Sequence, residues 1–238
     1  MSGADDIWVY LSTTPLLHLT VTLAAYQIGD RIYRRFGLNP LLNPVVIAIV
    51  ILVPLLLVTG TDYDTFFEGA QFVHFLLGPA TVALAIPLFN QIDRVRRSAL
   101  AILAAILTGS LAAAGSAAAL VWLFGADPVL MASIAPKSVT TPIAMGIAEK
   151  LGGLPSLTAV LVILTGVLGA MLGPPLLTLM RIRDWRARGL AIGVASHGIG
   201  TARALQVNEV AGAFSGLAMG LNALATAILL PLIWGWLF

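Results

Sequence analysis

The chain has 238 residues, of which 59% are hydrophobic and only 10% are charged, and its formal net charge is +2. Its mean hydropathy is +0.97, which excludes a water-soluble domain because such a domain needs a far more charged surface. The chain contains no cysteine, so disulfides, thiol catalysis and thiolate metal sites are excluded as well. We therefore interpret the sequence as that of a polytopic membrane protein.

Long apolar runs indicate that the protein crosses the membrane as helices. Ser98 to Phe124 and Leu154 to Met180 are two such runs, and each is long enough to cross a hydrocarbon core of about 30 Å. A transmembrane β-barrel would instead show short segments of alternating hydrophobicity. The sequence therefore predicts an all-α fold.

The basic residues indicate which side of the membrane is cytoplasmic. Ten of the 13 lie in three short loops, as the positive-inside rule expects of cytoplasmic loops. They therefore explain the basic character of the chain without a nucleic-acid partner. These ten residues are Arg31, Arg34, Arg35, Arg94, Arg96, Arg97, Arg181, Arg183, Arg186 and Arg188.

Residues 1–64 are predicted to form scaffold or oligomerisation helices. Apolar segments run from Trp8 to Ile28 and from Asn39 to Gly60, and prolines punctuate the second, which predicts a kinked or late-starting helix. Met1 to Asp6 contains no basic residue, so we expect no cleavable signal peptide.

Residues 65–238 are predicted to form a transport unit. It begins with a helix over 65–91 that is broken at Gly78 and Pro79, and membrane proteins tolerate such breaks only where protein or water accepts the freed backbone groups. A packing kink explains the same two residues equally well. A helix over 98–124 follows, and its many small residues suit close contact between helices.

The positive-inside rule also predicts two segments that enter the membrane and return. If Asp127 to Leu151 crossed the membrane, Leu154 to Met180 would end outside and place four arginines there. As a hairpin, each arm would have about 11 to 13 residues, or roughly 16 to 20 Å of helix. The same argument makes Ala187 to Ala211 a second hairpin.

Repeat one (127–180) and repeat two (187–238) align at an offset of 60 residues. Only three glutamates occur in the chain, and two of them, Glu149 and Glu209, fall in register. Inverted repeats with discontinuous helices are typical of secondary transporters. We therefore predict about six transmembrane helices and two oppositely oriented re-entrant hairpins that form an inverted repeat.

The hairpin tips carry the residues expected of an anion site. Lys137 and Arg203 fall at depth, where an unpaired charge is costly. Thr141 and Thr201 are predicted N-caps, which would aim helix N–H groups at the midplane, although capping alone also explains them. The predicted substrate-binding residues are Lys137, Ser138, Thr140, Thr141, Ser196, His197, Thr201, Arg203 and Asn222.

Three residues are candidates for coupling a proton or cation to transport. His197 aligns with Lys137 and could carry a proton, or it could only hydrogen-bond a backbone carbonyl. Glu149 and Glu209 could bind a proton or cation, or they could neutralise Lys150 and Arg203. For His197 and for the two glutamates, the coupling role and the structural role both stay open.

Ser196 and His197 are adjacent, but they do not indicate a hydrolase. Neighbouring helical residues project in different directions, and no matching acid is evident. We expect neither enzyme activity nor a metal or cofactor.

Four segments resemble the LrgB/CidB family of bacterial membrane proteins. The resemblance is most specific from residue 70 to the end of the chain. The segments are LLGPATVALAIPLF (76–89), APKSVTTPIAM (135–145), GVLGAMLGP (166–174) and ASHGIGTARAL (195–205).

This resemblance implies two competing functions in a bacterial cytoplasmic (inner) membrane. One is transport of small monocarboxylates such as glycolate, glycerate, pyruvate or lactate, since the LrgB-like half of the plastid glycolate/glycerate translocator is similar. The other is holin or antiholin-like control of murein hydrolase export and cell lysis. Because the chain lacks the LrgA-like half, the resemblance also implies a small LrgA-like membrane partner or a homo-oligomer, such as a dimer.

Overall fold

The computed structural model describes residues 15–39, 42–76 and 89–237, together with Pro79, Val82, Ala83 and Ile86. The described residues are mainly helical. The helices are α1 (Pro15–Arg35), α2 (Pro44–Thr59), α3 (Tyr63–Phe75), α4 (Ile92–Arg97), α5 (Ala99–Leu123), α6 (Pro128–Ile134), α7 (Thr141–Lys150), α8 (Pro155–Leu179), α9 (Trp185–Val207) and α10 (Glu209–Leu237).

The chain divides into two compact units, Met1–Ala83 and Leu84–Phe238. In the first unit, α1 packs against α2 and α3. These contacts are close, because a Cβ on Gly29 would overlap the backbone of Pro44 and a Cβ on Gly69 would overlap that of Pro15. The glycines therefore set how near the three helices approach one another.

The first helix extends further than the sequence predicted. We expected the apolar segment to end at Ile28, but α1 continues to Arg35. A cation in the last turn of a helix interacts favourably with the helix dipole, and Arg34 also pairs with Asp30 at 2.7 Å. The arginine cluster therefore lies within the helix and not in a loop after it.

The second unit holds the long apolar helices. Among the described residues, α5, α8 and α10 are long and apolar enough to cross a membrane, whereas α2 is apolar but shorter. Phe214 of α10 is fully buried and packs with Ile106 of α5 and Val194 of α9. The protein is therefore an all-α membrane protein with a core built between these helices.

The chain between α6 and α8 reverses direction, so that the end of α6 and the start of α8 lie together. Asp127 caps α6 by accepting a hydrogen bond from the Leu130 backbone N–H at 2.7 Å. At the start of α8, the Leu154 N–H donates to Ser133 Oγ at 2.8 Å, and Thr158 Oγ1 donates to the Ser133 carbonyl at 2.9 Å. Residues 135–153 therefore form a hairpin with its ends held together.

The second hairpin is closed at the equivalent positions. Gly193 of α9 and Ala218 of α10, which lie sixty positions after Ser133 and Thr158, are also in contact, since a Cβ on Gly193 would meet the Ala218 Cβ at 2.8 Å. Gly189 packs on Ala211 in the same way. Because both contacts advance in the same direction, the first arm of α9 runs parallel to α10. The second arm runs back along α10, where Thr201 contacts Ser215 and Leu205 contacts Gly212.

Candidate functional site

Lys137 lies at the tip of the first hairpin, between α6 and α7. Its ammonium donates to the Ala113 carbonyl at 3.4 Å and to Ser138 Oγ at 3.2 Å. Of the residues that the structure describes, no carboxylate lies within 4.0 Å of this half-buried ammonium. The tip therefore presents a cation that no carboxylate of the described residues neutralises.

The helix that follows this tip begins one residue earlier than predicted. Thr140 is the N-cap of α7, in extended backbone conformation, and Thr141 is the first helical residue. Pro142 fits the second position as well as the first, because neither residue's N–H has a partner within the helix. The Thr140 side chain makes no capping hydrogen bond, so the N–H groups of this first turn are not satisfied by it.

The second tip is a single-residue break in α9 at His197. Its backbone has φ 41° and ψ −135°, a conformation that costs a non-glycine residue about 1–3 kcal/mol. The buried imidazole Nε2 donates to the Val162 carbonyl of α8 at 2.9 Å. Since a carbonyl can only accept, the proton resides on Nε2, and the ring is fixed toward α8.

The prediction that Thr201 is an N-cap is wrong. Thr201 lies inside the second arm, four residues after the break, because the chain turns at His197 and not at Gly198 or Gly200. Its hydroxyl lies 2.8 Å from the His197 carbonyl and 2.9 Å from Ser215 Oγ. Thr201 therefore satisfies a carbonyl that the break would otherwise leave free, and ties the tip to α10.

Asn222 of α10 connects the two tips. Its amide nitrogen donates to the Ser138 carbonyl at 3.1 Å and to the Val194 carbonyl at 3.2 Å. Its amide oxygen accepts from the Ser110 hydroxyl. Asn222 therefore hydrogen-bonds the tip of the first hairpin and the arm that precedes the break in the second.

The contacts of the two tips are reciprocal. Asn222 of repeat two reaches Ser138 in the tip of repeat one, and His197 in the tip of repeat two reaches Val162 in repeat one. Val162 and Asn222 are sixty positions apart, as are Lys137 and His197. Each repeat therefore hydrogen-bonds the tip of the other through an equivalent position, Asn222 in repeat two and Val162 in repeat one.

The other predicted site residues have less definite surroundings. Ser196 is buried against Gly169 of α8, whereas Arg203 is half-buried. Glu149 and Glu209 are exposed. That Lys137 and Arg203 together hold one carboxylate stays a prediction.

The predicted helix break falls partly beyond what the structure describes. Gly78 is outside the described residues, and Pro79 is helical and exposed. In the described parts of the chain, no group of three or more His, Cys, Asp or Glu side chains comes together as a metal site would need.

Sequence reasoning missed three hydroxyl residues of the network. Ser110 bonds Asn222, Ser215 bonds Thr201, and Ser133 closes the first hairpin. All three are buried. In the sequence they resemble ordinary small residues of apolar helices. The one feature that could have indicated their role is a hydroxyl at a position where alanine would pack equally well.

Comparison with known proteins identifies the family. A family model described as the LrgB-like family matches residues 22–236. The chain is 39% identical to YxaC of Bacillus subtilis over 94% of this chain and 96% of the relative. It is 31% identical to the holin-like protein CidB of Staphylococcus epidermidis over 94% and 96%, and 32% identical to the antiholin-like protein LrgB of Bacillus mycoides over 92% and 95%. No solved structure matches. With this match over nearly its whole length, the chain belongs to the LrgB-like family.

Proposed function

We propose that the protein lies in a bacterial cytoplasmic membrane as an inverted repeat, with about six crossing helices and two re-entrant hairpins of opposite orientation. The matched closing contacts of the hairpins and their reciprocal hydrogen bonds support this arrangement. Each hairpin would leave the membrane at the face where it entered, as the positions of the arginines require under the positive-inside rule. The division into a scaffold over 1–64 and a transport unit over 65–238 belongs to the same proposal.

We infer that this arrangement transports small monocarboxylates by alternating access. The observation that carries the inference is Lys137, a half-buried ammonium at a hairpin tip with no described carboxylate within 4.0 Å. An intramembrane charge is costly unless it is paired, and a substrate anion would supply the missing partner. Sites at hairpin tips between inverted repeats are typical of secondary transporters.

The substrate would be held from both tips. Lys137 would attract the carboxylate, while Ser138, Thr140, Thr141 and the start of α7 would donate hydrogen bonds to it. From the second tip, Arg203, Thr201 and Ser196 would complete the site around Asn222. Glycolate, glycerate, pyruvate and lactate fit this donor-rich pattern. Coupling to a proton or cation would involve His197, Glu149 or Glu209.

Assembly is part of the proposal. We propose that the protein works as a homodimer or together with a small LrgA-like membrane partner. Neither assembly requires a nucleic acid.

Uptake into proteoliposomes tests the transport proposal. We expect saturable uptake of labelled glycolate or pyruvate by the wild type and its loss in Lys137→Ala. Lys150→Ala is the matched control, because Lys150 is an exposed lysine at the end of the same hairpin, and it should retain uptake. Full uptake by Lys137→Ala would overturn the site.

A second function is favoured by the names of the relatives. CidB of Staphylococcus epidermidis is named holin-like and LrgB of Bacillus mycoides is named antiholin-like. On this alternative, the protein would modulate murein hydrolase export and cell lysis. Vesicles loaded with large fluorescent dextrans discriminate the two, since release of dextran without saturation supports a lesion and saturable uptake without release supports a transporter.

A further inference from the structure

A cleft at one end of the second unit is lined mainly by arginines. Its volume is about 500 Å³, the volume of roughly 17 liquid waters. It lies between α4, the loop that follows α8, and the beginning of α9. The residues that matter for its chemistry are Arg94, Arg97, Arg183, Asp184, Trp185 and Arg186.

The cleft lies where all three candidate membrane-crossing helices begin or end. Helix α5 starts at Ala99, two residues after Arg97, and α8 ends at Leu179, four residues before Arg183. Val210, in the first turn of α10, lines the cleft itself. Exposed apolar side chains such as Leu100 and Leu179 lie near these helix ends, an arrangement expected where helices reach a membrane surface.

The cleft contains more arginines than acidic side chains. Asp184 is its one acid, and its carboxylate pairs with Arg186 at 2.6 Å while capping α9. Arg94 donates to the neutral Gln91 side chain at 2.7 Å. Neither Arg97 nor Arg183 forms an ion pair with any residue that the structure describes. Three guanidinium groups therefore line the cleft without a carboxylate partner among the described residues.

The neighbouring Arg188 does not line the cleft, because its guanidinium is hydrogen-bonded to backbone carbonyls beside it. It donates to the carbonyls of Ile182 and Pro174 at 3.0 Å each, which fixes the loop after α8. Its guanidinium also lies 5.1 Å from the centre of the Trp185 ring. Trp185 remains 40% exposed beside the arginines, as expected of an aromatic residue at a membrane interface.

We propose that this cleft binds the phosphodiester headgroup of an anionic phospholipid, with Arg97 and Arg183 on the phosphate and Trp185 at the level of the glycerol backbone. Guanidinium groups bind phosphate oxygens in a bidentate manner, and basic pockets at the cytoplasmic ends of membrane helices recognise such headgroups. The lipid is favoured over free phosphate because the arginines adjoin exposed apolar helix ends. The proposal uses the membrane topology proposed above but not the transport activity.

Thermal unfolding of the full-length protein in neutral detergent tests the proposal. We expect short-chain phosphatidylglycerol to raise the unfolding temperature in a saturable manner, and the zwitterionic phosphatidylcholine of equal chain length to have little effect. In Arg97→Ala/Arg183→Ala, the concentration for half the effect should rise about tenfold or more. Arg97→Lys/Arg183→Lys keeps the charge but removes the bidentate geometry, so it should show an intermediate loss.

The matched control is Arg31→Ala/Arg35→Ala, which removes two exposed arginines from the first unit. It should respond to phosphatidylglycerol within about twofold of the wild type, since its cleft is intact. An equal loss in this control would overturn the proposal in favour of diffuse charge attraction. So would an equal response to both lipids, or full competition by millimolar inorganic phosphate, which would identify a site for the free anion.

Discussion

The side-chain amide nitrogen of Asn222 donates a hydrogen bond of 3.1 Å to the backbone carbonyl of Ser138. The same nitrogen donates to the Val194 carbonyl at 3.2 Å, three residues before the break in the second hairpin. One fully buried side chain therefore holds two irregular segments at one place. Such backbone groups must be satisfied inside the protein, because lipid cannot hydrogen-bond them.

We predict that Asn222→Leu lowers the free energy of unfolding by about 1–3 kcal/mol, because the substitution conserves volume but leaves buried carbonyls without their donor. Thermal unfolding in detergent measures the effect. Leu224→Ala, at an exposed position two residues along the same helix, should change it little. Equal stability of Asn222→Leu and the wild type would show that water replaces the amide.

We predict that Lys137→Met leaves the free energy of unfolding unchanged or raises it by up to about 1 kcal/mol. Methionine is similar in volume and avoids the desolvation of an ammonium that has no carboxylate partner, so stability does not depend on the charge. Uptake of a labelled monocarboxylate should nevertheless be lost. The two assays on one variant therefore separate function from folding.

A structural role for Lys137 gives the opposite pattern. If its hydrogen bonds to the Ala113 carbonyl and Ser138 hydroxyl hold the tip in place, Lys137→Met should unfold at lower temperature and lose uptake for that reason. Lys137→Arg, which keeps the charge on a larger side chain, then discriminates further. It should retain part of the uptake only if the charge binds the substrate.

The all-α fold and the long apolar helices could be predicted from the sequence, because length and hydropathy are local properties. The helix predicted over 98–124 is α5, Ala99–Leu123, and the apolar run from Leu154 to Met180 contains α8, Pro155–Leu179. The polar tips at Lys137 and His197 also stand out in an apolar chain. These signals need no knowledge of which residues meet in space.

The sequence could not show which residues meet at the tips. The chain turns at His197 although two glycines follow it, because the His197 ring donates to the Val162 carbonyl and the Thr201 hydroxyl donates to the His197 carbonyl. Both acceptors are backbone groups, so no residue type in the sequence marks them. Likewise, nothing in the sequence distinguishes Ser110, which bonds Asn222, from the neighbouring small residues of α5.

We predict that Gly193→Ala lowers the free energy of unfolding by about 1–3 kcal/mol, because overpacking forces helices apart. A Cβ there would overlap the Ser215 carbonyl and meet the Ala218 Cβ at 2.8 Å, at the contact that closes the second hairpin. Gly220→Ala on α10 is the matched control, since a Cβ on Gly220 meets nothing within 4 Å. It should be neutral or stabilising by up to about 1 kcal/mol.

The contact between α9 and α10 should also affect uptake. Gly193→Ala displaces the first arm of α9, so we expect reduced uptake even at temperatures where the variant is folded. Gly220→Ala should retain uptake. A Gly193→Ala protein with the stability and uptake of the wild type would show that the two helices can separate without cost.

The last prediction concerns pH and the carboxylate at the beginning of α9. Hydrogen bonds from the Arg186 side chain hold the pKa of Asp184 below its ordinary value. A group with a lowered folded-state pKa stabilises the protein above its unfolded-state pKa, here about 3.9, and this stabilisation is lost as pH falls through the folded-state pKa. Since the Asp184 side chain is 46% exposed, the effect at neutral pH should be below about 1 kcal/mol.

Asp184→Asn should therefore unfold at slightly lower temperature than the wild type at pH 7, and the difference should shrink as the pH falls below about 4. Unfolding temperatures measured from pH 7 to pH 3 in one detergent test this. In an Arg186→Ala background the pH dependence of the difference should be smaller, because the main cause of the lowered pKa is gone. A difference that grows on acidification contradicts the assignment, since it would require Asp184 to stabilise the protein in its protonated form.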